Sequence, residues 1–336
     1  MSVALKLVKP LLSLQDPMSV LSGVEVTTRV GELSTFRLEF SMKEASELLE
    51  WVSYDGFQPG KAATISMASG ASMVEVLQGE TTAIEVQQSV SQPGRIVVRG
   101  YDMRYRLARG THSRTFLNSH DASVIEAVLK EAGLSASVPG LMTESVVSIT
   151  HAMVQQTNQD DWSFVKERAR LHGYEVVSVG ATVTLRKKPA PPPVLLALDD
   201  ALIRDAQLSA SVMDRVDLVS VRGWDPATQA AIVAEAGSAA PVFGAPPPVT
   251  RSLLYPVTEQ AEADTLAAAE LGRSQEQVIS GTLDVDGEGG LNAGRYVKVA
   301  DMGPLFSGPL YIEEAAHRWS PEAGYSTTLT VSGRMP

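Results

Sequence analysis

The chain has 336 residues, of which 44% are hydrophobic and 20% charged, which excludes intrinsic disorder and leaves room for two or three domains. A formal net charge of −11 makes non-specific binding of nucleic acid across the whole surface unfavourable. The sequence contains no cysteine, which excludes disulfides, thiolate catalysis and cysteine-bound metal.

The only candidate targeting segment is the N-terminal run that ends near Leu14. Lys6, Lys9 and Pro10 interrupt its apolar residues, and no small-residue cleavage site follows, so we do not expect a signal peptide. No stretch approaches the roughly 18 uninterrupted apolar residues of a membrane helix. We therefore expect a protein that is made and folded in the cytoplasm and does not insert into a membrane.

Residues 1–109 are predicted to form a first antiparallel β domain. Apolar and polar side chains alternate strictly over residues 35–40, which is the pattern of a half-buried strand. A short helix is expected at 44–51, and the turn at Gly70 separates strands 60–67 and 73–77 of a hairpin. A second hairpin is expected from strands 80–87 and 95–100. Several short strands separated by glycine turns favour a barrel or a sandwich.

Residues 110–188 are predicted to form a small α/β insert with two helices. The first helix is expected to end at Gly133. The second is expected to have Thr157 or Asn158 as its N-cap and to end at Gly173, which supplies a left-handed cap. A β-hairpin should follow the second helix.

The proline-rich run at 189–193 is the clearest boundary, because proline at this density acts as a stiff spacer. Residues 194–336 return to β structure, with an alternating strand at 216–222 that should end in a turn at 223–226 and one helix at about 258–272. The predicted fold class is thus β-rich α+β, with two β domains of similar size flanking an α/β insert. The similar sizes hint at an internal duplication.

The five histidines show no metal-ligand spacing; they are His112, His120, His151, His172 and His317. His172 is interpreted as part of a helix C-terminus, and His120 with Asp121 as a helix start rather than a catalytic dyad. His317, which follows Glu313 closely, is interpreted as a polar strand end rather than an acid/base group.

Other motifs also have structural explanations. Residues 284–290 resemble the first half of a calcium loop, but Arg295 stands where the bidentate glutamate belongs, so a glycine-rich hairpin turn is the better interpretation. The arginines of residues 100–107 are interpreted as solvated charges on a crossover, and the four tryptophans as core or interface anchors. There is no nucleophile elbow, phosphate loop or dinucleotide fingerprint. We predict no catalytic, cofactor-binding or metal-binding residues, and no enzyme.

An ordered series of short motifs spans about two-thirds of the chain. The series comprises Gly100-Tyr101-Asp102, Arg114-Thr115-Phe116, Gly133-Leu134, 158–164, His172-Gly173-Tyr174, 291–295, 306–312, 316–319 and 324–327. It resembles the late control D proteins of phages, which are the central hub proteins of contractile tails. The hub portion of type VI secretion spike proteins is similar.

This resemblance implies two tube-like antiparallel β-barrel domains, residues 1–109 and 194–336, around the insert. It implies a homotrimer that adapts the hexameric inner tube to the trimeric spike, with no cofactor and no specific nucleic-acid binding. The implied partners are further copies of the chain, an inner tube protein, a spike protein and other baseplate proteins, at the baseplate of a virion tail or a phage-tail-like particle. Because the sequence stops at Pro336 without the needle of secretion spikes, the spike is expected to be a separate polypeptide.

Two other functions stay open. A tail-associated cell-wall polysaccharide hydrolase needs a pair of carboxylates in a cleft, and a carbohydrate-binding β protein needs a glycan site. An acidic lining of the lumen is a further hypothesis, prompted only by the net charge of −11.

Overall fold

The computed structural model describes residues 3–7, 17–42, 45–89, 93–137, 149–192, 196–198, 202–225, 228–238, 240, 248–299 and 302–334. Strands dominate these residues, as predicted for a β-rich α+β chain. Twelve of the strands belong to a single sheet. Among the described helices, none is both long and apolar enough to cross a lipid bilayer.

The first predicted β domain supplies six strands and one helix of this architecture. They are β1 (Val3–Leu7), β2 (Leu21–Arg29), β3 (Thr35–Met42), α1 (Ala45–Val52), β4 (Ala62–Ser69), β5 (Ser72–Gln87) and β6 (Gly94–Asp102). The alternation predicted for 35–40 is confirmed, since Phe36, Leu38 and Phe40 are buried in one core with Trp51 of α1.

Strand β5 is longer than the sequence pattern suggested. Residues 73–77 and 80–87 were expected as separate strands, but they form one strand that passes through Gly79. A Cβ atom at Gly79 would lie 2.0 Å from the carbonyl oxygen of Tyr101 on β6. The glycine therefore permits close approach of two strands rather than a chain reversal.

The described residues of the insert form two helices and five strands. They are β7 (His112–Ser119), α2 (Asp121–Glu131), β8 (Ser135–Ser137), β9 (His151–Gln159), α3 (Asp161–Leu171), β10 (Tyr174–Val179) and β11 (Thr182–Lys187). Strands β7 and β9 form a two-stranded ribbon, whereas β10, β11 and β8 form a separate sheet. The predicted hairpin is the β10–β11 pair.

The helix stops in the insert are confirmed, but one start is not. Gly133 and Gly173 both have φ of +70°, the left-handed conformation of a C-terminal cap. The expected cap at Thr157 or Asn158 is wrong, because both residues lie in β9. Asp160 caps α3 instead, accepting a hydrogen bond of 2.8 Å from the backbone N–H of Ser163.

The C-terminal part contains nine strands and two helices among its described residues. They are β12 (Leu196–Leu198), β13 (Ile203–Ala210), β14 (Leu218–Asp225), β15 (Ala230–Gly237), β16 (Thr250–Leu254), α4 (Gln260–Glu276), β17 (Ile279–Asp286), β18 (Tyr296–Val299), α5 (Gly303–Phe306), β19 (Pro309–Ser320) and β20 (Gly324–Gly333). Helix α4 continues past Gly272, where it was expected to end. Strand β14 continues through Trp224, where a turn was expected.

The large sheet joins the two halves of the chain. Its main path is β1-β4-β5-β6-β3-β2-β19-β20-β17-β13, and β2 pairs with β19 at its middle. The described strands do not close into a barrel, so the two barrels stay a prediction. Each half nevertheless has its own core, the first around Leu38 and the second around Leu283 and Leu329.

A smaller sheet, β15-β14-β16, packs one face against α4. Val219 and Val221 from β14 meet Leu266 of α4 in a third core. The opposite face is exposed and includes Trp224, whose side chain is 55% exposed. Trp224 is thus not a core residue, whereas Trp51 and Trp162 are buried as expected.

The glycine-rich segment 287–290 packs closely against neighbouring backbone and side chains. It connects β17 to β18, and within the described residues β17 pairs only with β13 and β20, so the expected hairpin is wrong. The backbone N–H of Gly289 donates to the carbonyl of Ala68 at 2.7 Å. A Cβ atom at Gly287 would lie 2.0 Å from the ring of Tyr325. Close packing therefore explains these two glycines, against the first half of the chain at Gly289 and within the second half at Gly287.

Candidate functional site: the polar face of the large sheet

One face of the large sheet is polar over eight consecutive strands. Side chains alternate along each strand, so the positions opposite the two cores share this face. We call it the polar face. Ala83, Val97 and Ala316 are apolar residues on this face, and its polar and charged members include Glu85, Arg95, Arg99, Thr35, Arg37, Glu39, Glu25, Thr27, Arg29, Glu314, Arg318, Ser326, Thr328, Thr330, Thr282, Asp284, Asp205 and Gln207.

Ion pairs cross the junction between the two halves on this face. Arg318 lies directly opposite Glu25, with its Nε 3.0 Å from a carboxylate oxygen. Arg29 lies opposite Glu314, with the corresponding distance 2.6 Å. Opposite charges in register favour this pairing of β2 with β19.

The remaining arginines of the polar face are paired as well. Glu39 accepts hydrogen bonds from both Arg37 and Arg95, and Arg99 lies 3.2 Å from Glu85. All five arginines of this face therefore have a carboxylate partner. The polar face mixes both signs of charge, and its guanidinium groups are already engaged, so it suits passage of a charged polymer better than capture of one.

His317 lies on the opposite, core side of the same junction. It is fully buried in the middle of β19, so its interpretation as a strand-end residue is wrong. Burial lowers the pKa of His317 to about 4, which keeps the ring neutral. Its Nδ1 lies 2.9 Å from the hydroxyl of Tyr325, and its Nε2 lies 3.3 Å from Oδ1 of Asn292. The neutral ring can thus accept from the tyrosine and donate to the amide.

We predict that His317 makes the protein less stable in acid. Between pH 6.5 and about 4 the unfolded chain binds a proton at this residue and the folded chain does not, so stability falls as pH falls. The expected loss between pH 7 and pH 4.5 is about 2–3 kcal/mol. Urea unfolding at both pH values, compared between the wild type and His317→Gln, checks this, since other groups cancel in the difference. Equal losses in both proteins would contradict it.

Asp121 organises a buried ionic cluster in the insert. It accepts a 2.6 Å hydrogen bond from Nε of Arg168, a 2.7 Å bond from Nε2 of His172, and lies 3.4 Å from Nε2 of His151. Asp121 begins α2, but its N-cap, His120, makes no capping side-chain bond. The helix-start interpretation therefore missed the main role of Asp121. His172 is the C-cap residue of α3, as predicted, and its ring contacts Asp121 in addition.

Burial, hydrogen bonds and neighbouring charges shift the pKa values of two groups in this cluster, Asp121 and His151. Burial alone would raise the pKa of Asp121, but hydrogen bonds from His151 and His172 and the charge of Arg168 hold it well below its usual range. The hydrogen bond to Asp121 raises the pKa of His151. The cluster holds β9, α2 and α3 together as a charged, structural unit.

Arg104 is another residue whose place in the fold differs from the prediction. It was interpreted as solvated, but its side chain is fully buried and paired with Asp102 at 2.8 Å. It also donates to the carbonyl of Val176 on β10 at 2.9 Å and to Ser34 beside β3 at 3.2 Å. Arg104 thus ties the insert to the large sheet.

The described residues contain no group of three or more His, Asp or Glu side chains that is arranged to bind a metal ion. A cavity of about 530 Å³ lies between α4, the β10–β11 hairpin and β19. Its carboxylates Glu276 and Glu313 both contact Lys188, at 3.3 and 3.5 Å. Ion-paired carboxylates of this kind are poor proton donors for glycoside hydrolysis.

Residues 9–244 match the sequence family described as the Alg8 N-terminal domain. The chain belongs to this family. The family description names no activity by itself, and no curated protein matches the chain in sequence.

Solved structures with the same fold are tail proteins. The 43 kDa tail protein of prophage MuSo2 from Shewanella oneidensis is 16% identical, with 98% of each chain covered and a TM-score of 0.70. A tail protein from Neisseria meningitidis MC58 is 10% identical, with 93% of this chain and 92% of that one covered and a TM-score of 0.65.

A third structure comes from a secretion system. The E. coli c3393 protein, a component of the type VI secretion system described as similar to the T4 bacteriophage tail proteins gp27 and gp5, is 11% identical to this member of the Alg8 N-terminal domain family. The match covers 100% of this chain and 79% of that one, with a TM-score of 0.61. At such identities the likeness establishes the fold, which is that of phage and secretion-system tail proteins.

Proposed function

We propose that the chain is the structural baseplate hub of a contractile injection system, a phage tail or a phage-tail-like particle. In this proposal it forms a homotrimer that adapts the hexameric inner tube to the trimeric spike. The observation that carries the proposal is the polar face, which continues through both halves of the chain while the two cores lie on its other side. The tail-protein fold over the whole chain supports it.

The wall of a tail channel has to meet two requirements. Its inner surface must remain hydrated and must not bind the cargo. Its other surface must pack against a hydrophobic core. The polar face meets the first requirement, because arginines such as Arg37 and Arg318 are neutralised by neighbouring carboxylates. The cores around Leu38 and Leu283 meet the second.

The proposal also assigns the domains. Residues 1–109 and 194–336 each supply one tube-like barrel with its own core, and residues 110–188 form the insert, joined through the linker 189–193. Three chains then present six similar wall segments to a hexameric tube. The partners are the inner tube protein, the spike and other baseplate proteins, and no catalytic role is assigned.

Mass photometry of the purified chain, alone and with its spike protein, tests the proposal. We expect particles with the mass of three copies at micromolar concentration, or that mass plus the spike. Monomers alone under both conditions would overturn it. Incubation with purified cell wall is the companion assay, and release of soluble saccharide would favour the hydrolase instead.

A further inference from the structure

We infer that neighbouring copies of this chain join through the two free ends of the large sheet, with β13 of one copy pairing with β1 of the next. The inference rests on the proposed function and specifies the contact that closes the ring. In the described part of the chain, β13 pairs only with β17 and β1 only with β4. Each of these end strands therefore has one row of backbone donors and acceptors without a strand partner.

The second half of β13 lacks the usual protection of an edge strand. Natural edges are blocked by charges, prolines or bulges. A bulge and the charged residues Arg204 and Asp205 lie in the first half of β13, whereas Ala206–Ala210 is regular, uncharged and free of proline. Val212 and Met213 follow directly, and their side chains are 47% and 86% exposed. This combination is typical of an edge that another strand covers.

The backbone geometry shows which groups a partner strand would meet. The N–H of Ser211 donates to Val278 beside β17, and the carbonyl of Gln207 points at Gly281 in β17. Backbone groups of alternate residues point to opposite sides of a strand. Residues 206, 208 and 210 therefore direct their N–H and C=O groups away from β17, toward the open side.

The directions of the two end strands indicate that the strand pairing with β13 comes from a second copy of the chain. The main path holds ten strands, and all nine pairings along it are antiparallel. The first and last strands of such a path run in opposite directions. Copies related by a rotation axis that runs along the strands then place β13 antiparallel to the next β1, so the antiparallel order and the polar face both continue across the contact.

Two single substitutions test the β13 contact. Ala210→Pro removes an outward N–H that the ladder to β17 does not use, and Met213→Lys adds a charge beside the edge without touching the backbone. Both variants are expected to keep the wild-type circular dichroism spectrum and to associate at least tenfold more weakly in mass photometry. Leu117→Lys, at a 65% exposed apolar position in the insert, is the matched control and should assemble like the wild type.

Cross-linking identifies the partner strand. Because the chain has no cysteine, Ser209→Cys in β13 and Lys6→Cys in β1 each give a single reactive site. We expect a short bismaleimide to link the two variants when they are mixed. Linking of Ser209→Cys to itself would show a twofold β13–β13 contact and overturn the inference.

The outcomes separate this inference from the proposed function. If the wild type forms trimers and Ala210→Pro and Met213→Lys form them equally well, the edge pairing is overturned and the hub proposal stands. The same conclusion follows if the mixed cross-link never forms. If the wild type stays monomeric with its spike present, the hub proposal is overturned, and the edge pairing is overturned with it.

Discussion

Replacing Asp121 with asparagine is expected to destabilise the insert by about 3–5 kcal/mol, the typical cost of removing one partner from a buried ion pair. The carboxylate is 1% exposed and is the shared partner of Arg168, His151 and His172. Asparagine keeps the size of the side chain but leaves Arg168 without a counter-charge and removes the carboxylate that His151 and His172 contact.

Urea unfolding followed by tryptophan fluorescence measures this effect, since Trp162 lies in α3 within the same core. Glu126→Gln is the matched control, because Glu126 is an exposed carboxylate on the same helix and its loss should change stability by less than about 0.5 kcal/mol. A loss of under about 1 kcal/mol for Asp121→Asn would show that the cluster is not a structural centre.

Replacing Arg104 with methionine is expected to cost a similar amount, about 3–5 kcal/mol. Methionine fills much of the same space but leaves the carboxylate of Asp102, which is 3% exposed, without its guanidinium partner. The carbonyl of Val176 also loses its donor. Because these contacts join the insert to the large sheet, protease cleavage of the insert should become faster.

Arg99→Met serves as the control for Arg104→Met. Arg99 precedes Arg104 on the same stretch of chain, but its side chain is 47% exposed and pairs with an exposed carboxylate. Exposed pairs contribute roughly 0–1 kcal/mol, so this variant should remain near wild-type stability. Equal unfolding midpoints for the two variants would contradict the role assigned to Arg104.

The sequence was sufficient for elements whose signal is local. Alternation over residues 35–40 and the glycine stops at Gly133 and Gly173 are set by neighbouring residues, and the structure confirms them. The cap of α3 was misplaced by two residues, because Asp160 and Asn158 are chemically similar candidates for the same role.

Features that depend on distant residues could not be predicted. Asp121 and Arg168 are hydrogen-bonded although 47 positions separate them in sequence. Strand β2, near the N-terminus, pairs with β19, near the C-terminus. Arg104 resembles its solvated neighbours in sequence, and only the path of β10 buries it. Alternation over residues 35–40 predicted which side chains of β3 lie opposite the core, but the continuity of the polar face depends on register between strands, which no local pattern specifies.

The same limit applies to the oligomer. The exposure of Trp224 and the free edge of β13 become visible only when the neighbours of each strand are known. The sequence pattern indicated a turn at Trp224, and no strand was predicted at residues 203–210.

Cryo-electron microscopy of the assembled oligomer tests the central claim most directly. We expect a threefold ring with an open channel, on whose wall the paired side chains Arg37–Glu39 and Arg318–Glu25 alternate around the axis. A map in which these residues lie on the outer surface, or in which the copies enclose no channel, would contradict the account.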